Sequence, residues 1–444
     1  MSLKSRKSLI LMKPPSTENK PASPEAGASV DQWLQWLEAI HPTEIDLGLD
    51  RVLVVLRRLF PRKPAARIIT IAGTNGKGTA VATVDRLLRT AGRSTGAYTS
   101  PHLQRYNERV RVNGQEITDA ALVSAFEQVE AARGKVSLTY FEFGTLAAFV
   151  AFAHAGVEDW ILEVGLGGRL DAVNVLDADF AVITSIDIDH VGFLGDNREV
   201  IGFEKAGILR RGIFAVCADP EPPSSVLQQA AAQKVDLKVT GRDYQIVPGM
   251  AGSSTVDLIL ESEQISLPAG PLPIESVAAG VVLARVLEPQ LSADRVSDAV
   301  RLLTVPGRFE QLRSDPDVIL DVGHNPHAAR WLAAKLTART SSSGRIFGVY
   351  AALADKDIVG VLSAMVPVVD QWWFAGLDVH RGLDSGALVE HARACGIDRY
   401  LTFASVNEAL LAAMAEANST DTIAVFGSFY TVAQARELLQ GEVS

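Results

Sequence analysis

The chain has 444 residues, 48% hydrophobic and 21% charged, the composition of a globular protein with room for two or three domains and a large core. Its 52 acidic against 42 basic residues give a net charge of -10, which argues against the basic footprint of a general nucleic-acid binder. Two cysteines, Cys217 and Cys395, are too few for a disulfide framework, and no apolar run reaches membrane length without charge or glycine, so a cytoplasmic protein with no membrane partner is expected.

Residues 1–29 are rich in Pro, Ser, Glu and Lys and read as a disordered extension. Order is expected to begin at "VDQWLQWLEAI", with Asp31 capping a helix whose Trp33, Leu34 and Leu37 recur at helical spacing; a second helix runs toward Phe60. "RIITIA" then reads as a strand, Gly78 to Thr90 as a helix, and "STGAYTS" as a short strand. "LTYFEFGTLAAFVAFAHAG" contains a further helix, and "DWILEVG", "DFAVITSI" and "GIFAVCA" are the short apolar runs of buried parallel strands. Residues 234–270 alternate between apolar and polar and carry turn signals, which predicts a small antiparallel annex, followed by a helix from Ser276 to Leu287. After "TVPGRFEQL", where Pro306-Gly307 forms a plausible hinge, strands and helices alternate again through "DVILDVGHNPHAARWLAAKL", "GRIFGVYAAL", "DQWWFAG", "DRYLTFA" and "DTIAVFGSF". The fold class expected is α/β with two doubly wound domains, over residues 30–304 and 305–444.

The stretch "IITIAGTNGKGTA" resembles a phosphate-binding loop. A strict loop reads G-x-x-x-x-G-K-[ST]; here Ile71 stands at the first glycine and Gly78 at the hydroxyl, with Thr79 next. The physics still holds, because Gly73, Gly76 and Gly78 let backbone N–H groups turn inward, the following helix offers its positive end, and Lys77 adds charge. The displaced hydroxyl means that Mg²⁺ needs other ligands. Ser100 in "YTSPHL", Glu163 in "WILEVG", and Asp189 and His190 in "SIDIDH" stand at or beyond the carboxyl ends of predicted strands, where ligands bind in open α/β sheets. Each also has a plainer reading: turn chemistry for Ser100, a solvated strand end for Glu163, a hydrogen-bonded core histidine for His190.

Together, "AGTNGKGT", "TSPHL", "LEVGLGGRLDAVN", "SIDIDHVGFLG", "EKAGI", "PGRFE" and "DVGHNPHAA" resemble, in order and spacing, the bacterial dihydrofolate synthases and folylpolyglutamate synthases, which are Mur-type ATP-dependent amide ligases. The resemblance runs from about Val30 to the C-terminus. It implies a P-loop ATPase-like Mur ligase central domain and a smaller Rossmann-like C-terminal domain. It also implies a reaction: ATP phosphorylates a carboxylate, and the amino group of L-glutamate attacks the acyl phosphate. The substrates implied are dihydropteroate and the γ-carboxylate of reduced folates, handled by one monomeric chain.

By position, the resemblance assigns ATP binding to Thr74, Asn75, Gly76, Lys77, Gly78, Thr79, Ser276, Arg308 and Asp321. Ser100, Glu163, His190 and Lys205 match its metal ligands, with two Mg²⁺ sites implied and Lys205 matching a lysine carbamylated by CO₂. Lys205 could instead remain an ammonium, Arg308 could form a structural salt bridge, and Asp321 could cap the helix near Pro326. Lys77, His190 and Lys205 are the catalytic candidates. The pterin side resembles the bifunctional type at Asp46, Leu47, Gly48 and Leu49, at Thr139, Tyr140, Phe141 and Glu142, and at Leu170, Asp171 and Ala172. Phe141 could stack on a pterin or simply pack in the core. His324 and Ser428, near two helix starts in the second domain, are the glutamate candidates, although His324 could merely brace its turn. One departure is Ser276, at or near a position where the family usually carries an asparagine that contacts ATP.

The enzyme alternatives are a folylpolyglutamate synthase alone and a more distant Mur-type ligase. Against the latter, only about 40 ordered residues precede the loop, with no long UDP-binding domain. A nucleotide-dependent switch without catalysis would not need Glu163, His190 and Lys205 together.

Overall fold

The computed structural model describes residues 22–441, apart from residues 26, 44, 251–253, 262 and 340–343. Most of the extension expected to be disordered, residues 1–21, lies outside the described residues.

The strands are β1 Arg67–Ala72, β2 Thr95–Tyr98, β3 Val110–Val112, β4 Gln115–Glu116, β5 Asp159–Glu163, β6 Phe180–Ile183, β7 Phe214–Cys217 and β8 Asp236–Val239, then β9 Tyr244–Pro248, β10 Thr255–Leu260 and β11 Glu263–Pro268. The rest are β12 Glu310–Ser314, β13 Asp317–Asp321, β14 Ile346–Tyr350, β15 Gln371–Ala375, β16 Tyr400–Phe403 and β17 Thr422–Phe426. They form an eight-stranded sheet ordered β4-β3-β2-β5-β1-β6-β7-β8, a three-stranded sheet β11-β10-β9, and a six-stranded sheet β12-β13-β17-β14-β15-β16. In the first sheet β2, β5, β1, β6, β7 and β8 run parallel, and in the last β13, β17, β14, β15 and β16 do. The apolar runs become parallel strands because helices cover both faces, so alternate residues have no polar side to meet. β8 differs from expectation: residues 236–239 pair with β7 in the main sheet, and the antiparallel annex is confined to β9–β11.

Ser29, rather than Asp31, caps the first helix, Val30–Ala39. Its Oγ accepts the Gln32 N–H at 3.3 Å, while Gln32 Oε1 accepts the Ser29 N–H at 2.8 Å. That helix buries Trp33 and Leu37, as expected, together with Trp36. They pack on helix Tyr140–Ala155, which is apolar on nearly every side because it is enclosed between the N-terminal helices and the first sheet.

Position in the first sheet decides where a ligand fits. The chain leaves β1 toward β2 on one side, and β6 joins β1 on the other. This reversal places the loop after β1 at a topological switch point. At the opposite, amino end, Arg67 and Arg93 bind Asp159, and Arg67 also binds Glu288 at 2.8 Å, an ion network that ties strand starts to a helix end.

Candidate active site

A cleft of about 690 Å³ opens at the carboxyl ends of the strands, and both domains line it. The first supplies Thr74–Lys77, Thr79, Ser100, Glu163, Asp189, His190, Lys205 and Ser276; the second supplies Asp321, His324, His327 and Phe429, with Arg308 in the linker.

The loop after β1 is held by the segment after β6. Thr74 N–H donates to Ser185 O at 2.7 Å, and Thr184 Oγ1 donates to Asn75 O at 2.7 Å. Thr74 Oγ1 exchanges bonds with the Asp187 backbone at 3.0 Å. Gly76 is the N-cap of helix Lys77–Thr90 and sits at φ 82, where a side chain is strained; a Cβ there would also collide with the Ser276 hydroxyl. Lys77 Nζ donates to Gly73 O and Thr74 O, each at 3.2 Å. Thr79 Oγ1, one turn into the helix, is buried with no hydrogen-bond partner among the described residues.

Charges are concentrated here at a cost. Burial pulls Lys77 below its ordinary range despite Glu163, and pushes Glu163 up despite Lys77 and Arg308. Burial likewise lowers Arg308 and raises Asp321, and it brings Lys205 down to about 7. Lys205 is 3% exposed, and its ammonium donates to Gly73 O at 2.9 Å. Glu163 Oε2 accepts the Ser100 N–H at 3.2 Å, bringing those two candidates together. Glu163, Lys205 and Asp321 are buried and Lys77 and Arg308 half-buried beside them, a grouping of perturbed charges of the kind found at functional sites.

Across the cleft, Asp321 ends β13 and accepts N–H bonds from Phe309 at 2.9 Å and Gly323 at 2.7 Å. It does not cap the following helix; Asn325 does, its Oδ1 accepting the Ala328 N–H at 2.9 Å. The Arg308 guanidinium lies 5.2 Å over the Phe429 ring. His324 borders the cleft, with Nδ1 2.9 Å from Val322 O and Nε2 3.5 Å from Asp189. Ser428 does not border it: Ser428 is 4% exposed, and its Oγ accepts the Thr431 N–H at 3.0 Å inside the domain.

The candidate pterin residues do not line this cleft but abut it, since Phe141 lies against Gly165 and Asp171 binds Leu166, both of which do. Thr139 and Glu142 form a capping box on helix Tyr140–Ala155, and Glu142 also accepts from Arg51 at 2.8 Å. Arg51 donates in addition to the Asp46 carboxylate at 2.5 Å and the Asp46 carbonyl at 2.7 Å, linking two of the three segments. Asp171 holds the third, accepting N–H bonds from Leu166 at 2.8 Å and Val173 at 3.0 Å, and burial raises it to about 6. Phe141 packs on Tyr98 at 6.1 Å and against Gly165.

Residues 71–247 match the Mur ligase middle domain, and residues 307–429 the Mur ligase, glutamate ligase domain. The dihydrofolate synthase/folylpolyglutamate synthase of Escherichia coli K12 is 43% identical over 95% of this chain and 98% of its own. The chain belongs to that family. Its fold matches E. coli FolC in complex with DHPP and ADP with a TM-score of 0.90, at 41% identity over 95% of this chain and all of the other. A bifunctional folylpolyglutamate synthase/dihydrofolate synthase with Mn, AMPPNP and L-glutamate bound matches at 0.86, with 40% identity over 94% of this chain and all of the other. The protein is therefore an ATP-dependent, amide-forming ligase of the dihydrofolate synthase/folylpolyglutamate synthase type.

Among the described residues, no three His, Cys, Asp or Glu side chains cluster as a self-sufficient metal site. The cleft nevertheless holds groups of the kinds that suit a hard divalent cation: the buried Glu163 carboxylate, the Ser100 hydroxyl, the His190 imidazole, and the Thr79 hydroxyl. No membrane-crossing helix occurs among the described residues. Sequence reasoning missed several supports of the ligase site. Thr184 and Ser185 stood in "ITSIDIDH" but carried no motif of their own. Asn325 was legible as an asparagine before the helix-opening Pro326. Arg51 and Lys356 gave no signal, because their partners are distant in the chain.

Proposed function

We propose that the protein joins L-glutamate to dihydropteroate and to the γ-carboxylate of reduced folates, consuming ATP through an acyl phosphate. The observation that carries this reading is the two-domain cleft that brings the buried Glu163 carboxylate together with the half-buried cations Lys77 and Arg308 at the strand ends. A carboxylate is a poor acyl donor and must be activated, and bringing anionic substrates together needs cations that water does not screen.

In this reading Thr74 to Thr79 cradle the phosphates, and Lys77 neutralises charge as the γ-phosphoryl group moves to the substrate carboxylate. Arg308 and Asp321 hold the nucleotide from the second domain, and Ser276 borders it beside Gly76. Ser100, Glu163 and His190 hold Mg²⁺, and a second Mg²⁺ is held at Lys205. When bound, the metal neutralises phosphate oxygens. Lys205 binds it as a carbamate, formed when the amine attacks CO₂ and releases a proton; a lysine brought down to about 7 has the free amine this needs. Glutamate lies beside His324, and Ser428 acts at one remove by holding the start of the helix that carries Phe429. Asp46 to Leu49, Thr139 to Glu142 and Leu170 to Ala172 receive the pterin. Closure of the cleft excludes water that would hydrolyse the acyl phosphate.

The test is isotopic. Dihydropteroate with heavy oxygen in its carboxylate, given ATP, Mg²⁺ and glutamate, should pass one heavy oxygen to the phosphate released. Unlabelled phosphate would overturn the acyl phosphate.

A further inference from the structure

Asp189 joins the two domains at a strained point of the backbone. The next residue, His190, has φ 52 and ψ 43, a left-handed conformation that a non-glycine residue keeps only where its surroundings hold it. Asp189 Oδ1 accepts the His190 N–H at 2.8 Å, and the same oxygen accepts Lys356 Nζ at 2.9 Å. The other oxygen accepts Asn325 Nδ2 at 3.0 Å and faces His324 Nε2 at 3.5 Å. Lys356, Asn325 and His324 come from the second domain; Asp189 and His190 come from the first. The Lys356 and Asp189 side chains are 9% and 10% exposed, so salt screens this pair far less than a surface one. Lys356 does not border the cleft.

We propose that Lys356 is a positioning residue: by anchoring Asp189 it fixes the His190 backbone, and so aims the imidazole at the metal only while the second domain is docked. The inference rests on the reading of His190 as a metal ligand. Without Lys356, Oδ1 keeps only the His190 N–H, and Asp189 is tied to the second domain through its other oxygen alone, so the strained His190 backbone is held less firmly. Domain docking and completion of the metal site become one event, which delays phosphoryl transfer until water is excluded.

The test uses the full chain with Mn²⁺ and AMPPNP. The Mn²⁺ dissociation constant is read by electron paramagnetic resonance, beside kcat, the KM for ATP and the unfolding midpoint. Lys356→Met should weaken Mn²⁺ binding by about 10- to 100-fold, the usual effect of losing a partner that orients a metal ligand. It should lower kcat while leaving the KM for ATP nearly unchanged, and Lys356→Arg should recover much of the loss. Wild-type Mn²⁺ affinity in Lys356→Met, with affinity lost in His190→Ala, would overturn the inference and leave the reading of His190 standing. Wild-type affinity in His190→Ala would overturn both. Equal loss in Lys356→Met and Lys356→Arg would also overturn the inference.

Discussion

Asn75 and Asn325 exchange two hydrogen bonds across the cleft: Asn75 Nδ2 donates to Asn325 Oδ1 at 3.1 Å, and Asn325 Nδ2 donates to Asn75 Oδ1 at 3.0 Å. One residue belongs to the phosphate loop and the other caps a helix of the second domain, so the loop is in direct contact with the element that closes over it. Asn325 also donates to Asp189, and Asn75 Nδ2 is 3.1 Å from His327 Nδ1.

Substitutions at Asn325 should test its two tasks. Asn325→Asp keeps a good N-cap but places a carboxylate against Asp189 and the Asn75 carbonyl oxygen. At a residue only 4% exposed, that repulsion should lower both stability and kcat although the cap is kept. Asn325→Ala loses the cap and should cost about 1 kcal/mol. Urea denaturation and steady-state kinetics on both variants check this; unchanged kcat in Asn325→Asp would show that the bridge between domains is idle.

Lys77→Met should lower kcat by about 100-fold or more, as expected for a charge that acts on phosphate in a dry site. The fold should survive, because the substitution removes a cation that burial already disfavours. Near-normal turnover in a well-folded variant would remove Lys77 from the phosphate cradle.

Lys205 carries a pH signature with a definite sign. Its folded value of about 7 lies below the 10.5 of a free lysine, so between these the unfolded chain binds more protons. Stability should then rise with pH from about 7 to about 10.5, and the penalty should be fully present below about 7. Lys205→Met abolishes that slope. In CO₂-free buffer at pH 6 it should be more stable than wild type by on the order of a few kcal/mol, with the gap closing toward pH 10.5, while activity is lost. Parallel pH profiles of unfolding for the two proteins would contradict this.

Gly76→Ala should weaken ATP binding and destabilise the fold, since the left-handed backbone alone costs about 1–2 kcal/mol. Part of the damage comes from collision with the Ser276 hydroxyl, so adding Ser276→Ala should return some of it. Strict additivity in the double-mutant cycle would show that the two positions do not meet.

The fold was largely legible because parallel strands buried on both faces leave unbroken apolar runs, as in "DWILE" and "FAVI". β8 was not, because "DLKV" alternates like an edge strand and only its pairing with β7 places it. At the site, Lys77, Glu163 and Arg308 stood out because glycines, strand ends and a hinge punctuate the sequence around them. Ser428 stood out as a polar side chain at a helix start, where a carboxylate could bind, yet its hydroxyl is used inside the domain. Lys356 and Arg51 were silent, because an ion pair between residues 167 or 91 positions apart leaves no local pattern.

The most direct measurement is phosphate release, with product mass, from the purified chain given ATP, Mg²⁺ and L-glutamate with either dihydropteroate or a reduced folate. The expected result is release with both acceptors, each product heavier by one glutamyl unit and none formed without glutamate. Release with the reduced folate alone would contradict the bifunctional reading, and release with neither would contradict the account as a whole.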